Sequence, residues 1–273
     1  MTRIRALILT GYGINCEEEL AAAYRLAGAD SDRVHFGRLL SNAIDLSPYR
    51  IINLPGGFAF GDELGAGKVL ANRIRARKDP AGMTMLEHLV RFVESGGRVV
   101  GICNGFQVLV NLGLLPNVGG EYAQEVSLAA NLSGRFEDRW CRVTPTPNAP
   151  MPGVEALGPL ELPVRHGEGR VVFRDDAIRQ AVVDRSLNVL TYASEDGGVA
   201  DAYPENPNGS ELACAALCDP TGRVFGMMPH PEAYLSFYNH PDWARRKRQA
   251  MAVPEGGDGL RFFRTLIGTA AAG

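Results

Sequence analysis

The sequence is 273 residues long, with 45% hydrophobic residues, 22% charged residues and a formal net charge of −3. A chain of this length buries roughly three quarters of the surface that its unfolded form exposes, so it can form a full core without disulfides or metals. No stretch reaches the roughly 18 consecutive apolar residues that a membrane span needs, and the small net charge gives no general attraction to nucleic acid or to membrane surfaces.

The cysteine pattern indicates free thiols rather than a disulfide framework. The cysteines are odd in number and scattered along the chain, at Cys16, Cys103, Cys141, Cys214 and Cys218. The first residues also lack the long apolar segment of a secretory signal peptide. Because such thiols stay reduced inside cells, we expect a cytoplasmic protein.

Short apolar runs alternate with segments of helical period in the first part of the chain. Buried strands are predicted at 4–9, 50–54 and 98–102, and helices at 17–27, 83–94 and 106–112. Helices of this length between strands imply a mostly parallel, doubly wound sheet with helices on both faces. The sequence therefore predicts the α/β class.

The middle of the chain, about 121–172, has a different character. It contains strand-like stretches with prolines and glycines but no helix of clear amphipathic period, which predicts a small antiparallel extension. Further strands are predicted at 188–192, 212–217 and 224–228, and a closing helix around Leu260, Phe263 and Ile267. Since no linker or repeat separates these parts, we expect a single domain over 1–273, with an irregular surface segment at 233–255.

The strongest chemical signal lies between the third predicted strand and its helix, in the segment Gly101-Ile-Cys-Asn-Gly105. Gly-x-Cys-x-Gly at a strand-to-helix turn is typical of a nucleophile elbow, in which the two glycines avoid backbone clashes. The helix N-terminus behind Cys103 favours a thiolate and offers N–H groups to a developing oxyanion. Tight packing of a buried cysteine is the alternative interpretation. Cys16 is a rival nucleophile, but the three glutamates that follow it disfavour its thiolate.

A cysteine nucleophile needs a base, and the segment Met228-Pro-His-Pro-Glu232 follows directly after a predicted core strand. Residues two apart in an extended chain point the same way. The Glu232 carboxylate can then hold the His230 imidazole in one tautomer while the other ring nitrogen faces the thiol. The sequence therefore predicts catalytic roles for Cys103, His230 and Glu232.

A second loop supplies candidate donors for an oxyanion hole. The segment Leu54-Pro-Gly-Gly-Phe58 follows its own strand at the predicted carboxyl edge of the sheet, where active sites of open parallel sheets lie. We expect the Gly56–Gly57 pair to place the Gly57 N–H beside the N–H of Asn104. A plain turn is the alternative interpretation of paired glycines.

Nucleotide and metal motifs are incomplete. Gly11-Tyr-Gly13 follows a strand, but Cys16 stands where the dinucleotide fingerprint has glycine. Near Gly65-Ala-Gly-Lys68, Asp62 replaces the first glycine of a phosphate loop and Val69 replaces the Ser or Thr that binds magnesium. Since neither a zinc knuckle nor a His-Glu-x-x-His motif occurs, we expect no ATP site and no metal site on this chain.

The basic run Arg245-Arg-Lys-Arg248 is the one local concentration of positive charge that stands out. A solvated surface helix is its simplest interpretation. A nucleic-acid patch, an anionic ligand and an acidic partner surface are the alternatives. From the overall charge we expect no nucleic-acid partner and no membrane partner.

The order Pro-Gly-Gly, Gly-x-Cys-x-Gly-x-Gln and His-Pro-Glu, each at a strand end, resembles the class I, triad-type glutamine amidotransferases along nearly the whole chain. Longer segments look like the glutaminase subunit of phosphoribosylformylglycinamidine synthase in purine biosynthesis: Leu54–Asp62, Gly101–Gln107, His166–Arg170 and Asn206–Ser210. Ala233 departs from the arginine that commonly follows His-Pro-Glu in that family. This departure concerns the partner interface rather than the catalytic residues.

The resemblance implies a flavodoxin-like fold and the hydrolysis of L-glutamine to glutamate and ammonia. It implies that Cys103 attacks the side-chain amide, that His230 transfers the proton and that Glu232 orients the imidazole. Water then hydrolyses the glutamyl thioester.

The resemblance also implies a substrate pocket and a partner. Gln107 would contact bound glutamine, or else pack on the helix, while His166 and Gly167 would line the glutamine pocket or the partner interface. The ammonia would pass to a separate synthetase subunit that binds ATP and magnesium and makes formylglycinamidine ribonucleotide. A small accessory subunit is a further candidate partner.

Three other readings of the sequence stay open at this point. The chain could be a class I glutaminase of another biosynthetic pathway, a cysteine hydrolase of similar fold, or a catalytically silent subunit. The last reading requires a missing member of the triad, and none is missing. Release of ammonia from glutamine separates the glutaminases from the other two.

Overall fold

The computed structural model describes residues 3–41 and 44–271. Its strands are β1 Arg5–Thr10, β2 Asp30–His35, β3 Ile51–Leu54, β4 Arg98–Ile102, β5 Val126–Ala130, β6 Glu137–Pro145, β7 Leu160–His166, β8 Glu168–Phe173, β9 Asn188–Ala193, β10 Cys214–Cys218 and β11 Val224–Met227. Its helices are α1 Glu17–Leu26, α2 Phe36–Leu40, α3 Lys68–Ala76, α4 Met85–Glu94, α5 Asn104–Asn111, α6 Asp176–Asp184, α7 Trp243–Gln249 and α8 Asp258–Ala270. Short 3₁₀ turns lie at Glu155–Leu157, Glu211–Ala213, Pro231–Ala233 and Phe237–Asn239.

Within these described ranges, nine strands form one sheet in the order β2-β1-β3-β4-β11-β10-β9-β6-β7. The pairings from β2 to β11 are parallel and those from β11 to β7 are antiparallel. β5 and β8 form a separate two-stranded antiparallel sheet. The predicted α/β fold, with a large sheet and a small antiparallel sheet, is confirmed.

The antiparallel part is larger than the sequence predicted, because it continues beyond 121–172 to β9 and β10. The connection between β10 and β11 explains part of this difference. It spans only 219–223, whereas a parallel crossover needs a dozen or more residues. The short connection therefore makes β10 and β11 a hairpin.

The parallel half of the sheet forms the core around which the candidate site is built. Every residue of β3, β4 and β11 is buried, as expected for parallel strands covered on both faces. α1 packs with α8 through Tyr24 and Phe263, whose rings lie 5.3 Å apart, and α3 packs with α4 and α5. Thr84 and Glu87 form a capping box that fixes the start of α4.

Several elements escaped the sequence-based prediction. β2 is polar in sequence, Asp-Ser-Asp-Arg-Val-His, because it lies at the edge of the sheet and buries mainly Val34. α2 is a single short helical segment, and α3 begins inside the incomplete phosphate-loop motif at Lys68. These elements lack the continuous apolar run or the long amphipathic period on which the prediction depended.

The segment 233–255 is more ordered than predicted, since it contains the 3₁₀ turn Phe237–Asn239 and helix α7. α7 buries none of its residues and carries the basic run, in agreement with a surface helix. Before it, Tyr234, Phe237 and His240 are buried, whereas Tyr238 is exposed. The Trp140 ring lies 4.4 Å from the His240 ring and 5.0 Å from the Tyr234 ring. The single-domain assignment over 1–273 stays a prediction. No helix in the described ranges is long and apolar enough to cross a membrane.

Candidate active site

Cys103 lies on a strained turn between β4 and α5, as the elbow motif predicts. Its φ is 50° and its ψ is −105°, a conformation that costs a non-glycine residue about 1–3 kcal/mol. The flanking glycines make this turn sterically possible. A Cβ at Gly105 would lie 1.9 Å from the Leu54 carbonyl oxygen, and one at Gly101 would lie 2.6 Å from the Gly105 oxygen.

His230 reaches the same edge of the sheet from the neighbouring strand. β11 and β4 pair in parallel with Met227 beside Ile102, so the residues that follow both strands emerge together. The His230 N–H donates to the Pro163 carbonyl at 2.8 Å, which ties the loop after β11 to β7. His230 is therefore held in place by both halves of the sheet.

Glu232 contacts the imidazole of His230 through a short hydrogen bond. His230 Nδ1 lies 2.5 Å from Glu232 Oε1, and both side chains are buried. The sequence had placed the two residues on one side of an extended chain, but a 3₁₀ turn at Pro231–Ala233 brings them together instead. His230 Nε2 is buried and has no hydrogen-bond partner among the described residues. The nitrogen opposite Glu232 thus stays available to a ligand or a thiol.

The pKa of His230 is raised well above its usual value. Burial alone would lower this pKa, but the Glu232 carboxylate, the charge of Cys103 and polar contacts with the Cys103 and Cys16 thiols together outweigh burial. The raised pKa therefore favours the protonated imidazole at neutral pH. An imidazolium beside a cysteine is the arrangement that activates a thiol nucleophile.

The loop after β3 packs directly against this pair. A Cβ at Gly56 would lie 2.9 Å from His230 Cε1 and 3.6 Å from Cys103 Cβ, so only glycine allows this approach. Gly57 has a φ of +121° and bridges to Ile14. Asn104 Oδ1 accepts from the Ala59 N–H at 3.1 Å and joins this loop to α5. The loop and the elbow thus form one unit around Cys103.

A cavity opens over Cys103 and brings most of the predicted residues together. Its lining includes Gly57, Cys103, Gln107, His166, Gly167 and His230. Gly56 and Asn104 do not line the cavity. Gly56 lies close to the His230 ring, and Asn104 hydrogen-bonds to Ala59 in the loop that contains Gly57. A larger groove around Tyr49 and His88 lies elsewhere and contains no cysteine. Whether the lining residues bind substrate stays a prediction.

Gln107 and His166 have well-defined hydrogen bonds in the wall of this cavity. Gln107 Nε2 donates to the Glu168 carbonyl at 2.5 Å, and its Oε1 accepts from Asn104 Nδ2 at 2.9 Å. Asn131 Nδ2 donates to two carbonyls, so its Oδ1 is the acceptor for His166 Nδ1 at 3.1 Å. His166 Nδ1 therefore carries the hydrogen, and the buried Nε2 has a free lone pair.

Burial, followed by the nearby charge of His230, lowers the pKa of His166 to about 3. His166 is therefore neutral at neutral pH, while His230 is protonated. The two buried histidines of the cavity consequently differ in charge, and only His230 can supply a proton.

Sequence reasoning assigned no site role to five polar residues of the cavity: Asn15, Cys16, Asp62, Arg165 and Glu168. Asp62 Oδ1 is buried without a hydrogen-bond partner in the described ranges, and burial, then the charges of Glu168 and Glu63, raise the pKa of Asp62. The Cys103 thiol lies 3.6 Å from the Arg165 carbonyl oxygen. These residues could have been found from their position in the sequence, because each lies in or next to a segment that already carried a predicted site residue or motif.

Comparisons with known proteins identify the family of this chain. The model of the CobB/CobQ-like glutamine amidotransferase domain matches residues 3–267. Phosphoribosylformylglycinamidine synthase subunit PurQ of Dehalococcoides mccartyi is 38% identical over 98% of this chain and 98% of its own length. The subunit of the same name from Methanococcus maripaludis is 36% identical over 92% of this chain and 91% of its own length.

A solved structure of similar fold is that of PurLQS from Thermotoga maritima. One chain of it matches with a TM-score of 0.68 and 26% identity, over 98% of this chain and 99% of that chain. The family model and the relatives both extend over nearly the whole chain. The chain therefore belongs to the glutamine amidotransferases and, among them, to the PurQ family of phosphoribosylformylglycinamidine synthase subunits.

Proposed function

We propose that this chain is the glutaminase subunit of a phosphoribosylformylglycinamidine synthase and hydrolyses L-glutamine to glutamate and ammonia. The observation that carries the proposal is the meeting of Cys103, His230 and Glu232 under one cavity in a chain of the PurQ family. A glutaminase of another pathway is disfavoured by the relatives' names, which are those of this synthase.

The proposed reaction uses a covalent thioester. The Cys103 thiolate attacks the amide carbon of glutamine, and the carbonyl oxygen gains negative charge beside the N–H groups of Gly57 and Asn104. His230 gives its proton to the amide nitrogen, which leaves as ammonia when the carbon–nitrogen bond breaks. The neutral imidazole then takes a proton from water, and the hydroxide breaks the thioester to release glutamate and the thiolate.

The missed polar residues suit the zwitterionic end of glutamine. Asp62 is half-buried, its buried Oδ1 has no hydrogen-bond partner among the described residues, and its charge interacts with that of Glu168, so it favours a cation such as the α-ammonium group. Arg165 lines the same cavity, and among residues 3–41 and 44–271 its one ion pair is with the exposed Asp138 at 3.7 Å, so it remains available to the α-carboxylate. Recognition of both charged groups would position the side-chain amide over Cys103.

The ammonia is proposed to pass to a PurL-type synthetase subunit that uses ATP to make formylglycinamidine ribonucleotide. The PurQ relatives and the similarity to a chain of PurLQS support this partner. ATP and magnesium would bind to the synthetase and not to this chain. The order β2-β1-β3-β4-β11 in the parallel half supports a flavodoxin-like core, and the free cysteines fit a cytoplasmic location.

The test measures glutamate formed from glutamine with and without a PurL-type subunit and its nucleotide substrate. Wild type is compared with Cys103→Ala and with Cys218→Ala, which removes a buried thiol that does not line the cavity. We expect activity that rises with the synthetase, is lost in Cys103→Ala and survives in Cys218→Ala. Absence of glutamate from a folded wild-type protein in a demonstrated complex would overturn the proposal.

A further inference from the structure

A buried asparagine lies behind the turn between β7 and β8. Asn131 follows β5 directly, and its backbone N–H donates to the Gly167 carbonyl at 2.9 Å. Its Nδ2 donates to the carbonyls of Arg135 at 2.9 Å and His166 at 2.8 Å. Its Oδ1 accepts from His166 Nδ1 at 3.1 Å and from the Gly169 N–H at 3.2 Å. Most of the hydrogen bonds of this side chain are therefore made to the turn.

These contacts fix the orientation of the Asn131 amide and, through it, the tautomer of His166. An amide has two N–H donors and an oxygen with two lone pairs, and all four are used here. The reverse orientation would set the oxygen against two carbonyls and the NH₂ group against the Gly169 N–H. Only the Nδ1–H tautomer of neutral His166 can then donate to Asn131, which leaves Nε2 with a lone pair.

The lone pair of His166 Nε2 belongs to a residue of the cavity wall. His166 lines the cavity and is buried, and its Nε2 has no hydrogen-bond partner in the described part of the chain. Because an unpaired buried acceptor is costly, an N–H donor from a bound molecule stabilises it. Glutamine carries such donors in its side-chain amide and in its α-ammonium group, whereas a carboxylate has none.

We propose that Asn131 is a positioning residue for substrate recognition, which holds His166 in the Nδ1–H tautomer so that Nε2 accepts a hydrogen bond from an N–H group of glutamine. The identity of the substrate rests on the proposed function, whereas the tautomer does not. A lone pair at this place attracts N–H groups and repels carboxylate oxygens. The sequence gave His166 a place in the pocket or at the partner interface, and it gave Asn131 no role.

A second buried asparagine holds the same turn independently of Asn131. Asn208 Nδ2 donates to the Gly169 carbonyl at 2.9 Å and to the Tyr192 hydroxyl at 3.1 Å. These bonds remain when the Asn131 side chain is removed. Asn131→Ala therefore releases the His166 ring without releasing the whole turn.

The first experiment is nitrogen-15 NMR of the full chain with labelled histidine, without glutamine and at neutral pH. The spectrum shows which ring nitrogen carries the hydrogen, and the signals missing from His166→Gln assign those of His166. We expect wild type to have hydrogen on Nδ1 and a bare Nε2, and Asn131→Ala to show a mixture of tautomers. Hydrogen on Nε2 in wild type, or unchanged His166 signals in Asn131→Ala, would overturn the inference.

Asn188→Ala is the matched control. Asn188 is also buried, its Nδ2 donates to the Leu212 carbonyl at 3.1 Å, and it does not line the cavity. Its replacement removes a buried amide and its hydrogen bond without touching the turn. We expect Asn188→Ala to keep the wild-type His166 signals and the wild-type kinetic constants for glutamine.

The second experiment measures glutamate formation at varied glutamine in the complex with the PurL-type subunit. Asn131→Ala keeps the triad, so we expect KM to rise by about 10-fold or more and kcat to stay within a few-fold of wild type. An unchanged KM, or a fall in kcat alone, would overturn the recognition role of Asn131.

Inhibition by the product glutamate separates the two N–H groups, because glutamate keeps the α-ammonium group and lacks the side-chain amide. An unchanged inhibition constant in Asn131→Ala assigns the hydrogen bond to the amide, and a rise by the same factor as KM assigns it to the α-ammonium group. If wild type forms no glutamate, the proposed function and the recognition role fail together. The NMR spectrum still decides whether Asn131 sets the tautomer.

Discussion

The cavity has two walls of different origin. One wall is formed by the elbow of Cys103 and the loops after β3 and β11, all at the carboxyl ends of parallel strands. The other is formed by the turn between β7 and β8, in the antiparallel part. The first wall carries the reacting groups and is called the reactive wall. The second carries groups suited to positioning a substrate and is called the recognition wall. The comparison teaches that reactivity depends on local backbone geometry, whereas recognition depends on contacts between segments far apart in sequence.

The strongest test of the reactive wall is Glu232→Gln, which keeps the shape of the side chain but removes its charge. The imidazolium that forms during catalysis loses its partner, so we expect kcat to fall by about 10³-fold or more, equivalent to about 4 kcal/mol, with little change in KM. Both kcat and KM are measured by steady-state glutaminase kinetics in the complex with the synthetase subunit. Glu195→Gln, an exposed change outside the cavity, is the control and should retain full activity. A similar kcat in both variants would remove Glu232 from the mechanism.

The backbone of the same wall is tested by Gly105→Ala. The added methyl would lie 1.9 Å from the Leu54 carbonyl, so α5 and β3 must separate, and we expect a loss of at least about 3 kcal/mol in the free energy of unfolding. Gly268→Ala is the control, because nothing lies within 4 Å of its new methyl in α8. That change should stabilise the protein by about 0.5–1 kcal/mol. Stability is measured by chemical denaturation. Equal denaturation midpoints for Gly105→Ala and wild type would show that the turn at Cys103 tolerates the added methyl group.

Recognition of the substrate is also tested by Asp62→Asn, in the loop after β3, where the Asp62 carboxylate interacts electrostatically with Glu168 of the recognition wall. If the carboxylate binds the α-ammonium of glutamine, its loss should raise KM by about 10–100-fold, or about 1.4–2.7 kcal/mol, and leave kcat within a few-fold. Glu63→Gln removes an adjacent but exposed carboxylate that does not line the cavity, and it should keep the wild-type KM. A fall in kcat at constant KM would instead assign Asp62 a role in the chemistry.

The extent of sequence-based prediction follows the same division. Cys103, His230 and Glu232 were predictable because the glycine spacing and the strand-to-loop position of each residue are local features. The sequence analysis considered Asp62 only as a departure from a phosphate loop, because its electrostatic interaction with Glu168 joins positions about a hundred residues apart. The parallel strands were predicted from their apolar runs, whereas polar β2 and the pairing direction of β9 and β10 depend on neighbours that no local pattern specifies.

The last prediction concerns His166, in the recognition wall, and the stability of the protein in acid. Its folded pKa is about 3 and its ordinary value is 6.5, because burial opposes the charged form. Between these values the unfolded chain binds a proton that the folded chain does not, so stability is complete above pH 6.5 and falls as the pH drops toward 3. The loss is about 1.4 kcal/mol per pH unit.

Replacing His166 should remove its contribution to the pH dependence of the free energy of unfolding. We expect His166→Gln to be less stable than wild type at neutral pH, because Gln fits the imidazole site imperfectly, but to lose about 1.4 kcal/mol less than wild type for each pH unit below about 6.5. Denaturant titrations at several pH values measure the two slopes. His35→Asn, at an exposed histidine whose capping role Asn can retain, should keep the wild-type slope. Parallel slopes for His166→Gln and wild type would mean that His166 binds a proton equally well in the folded and the unfolded chain, so that burial does not lower its pKa.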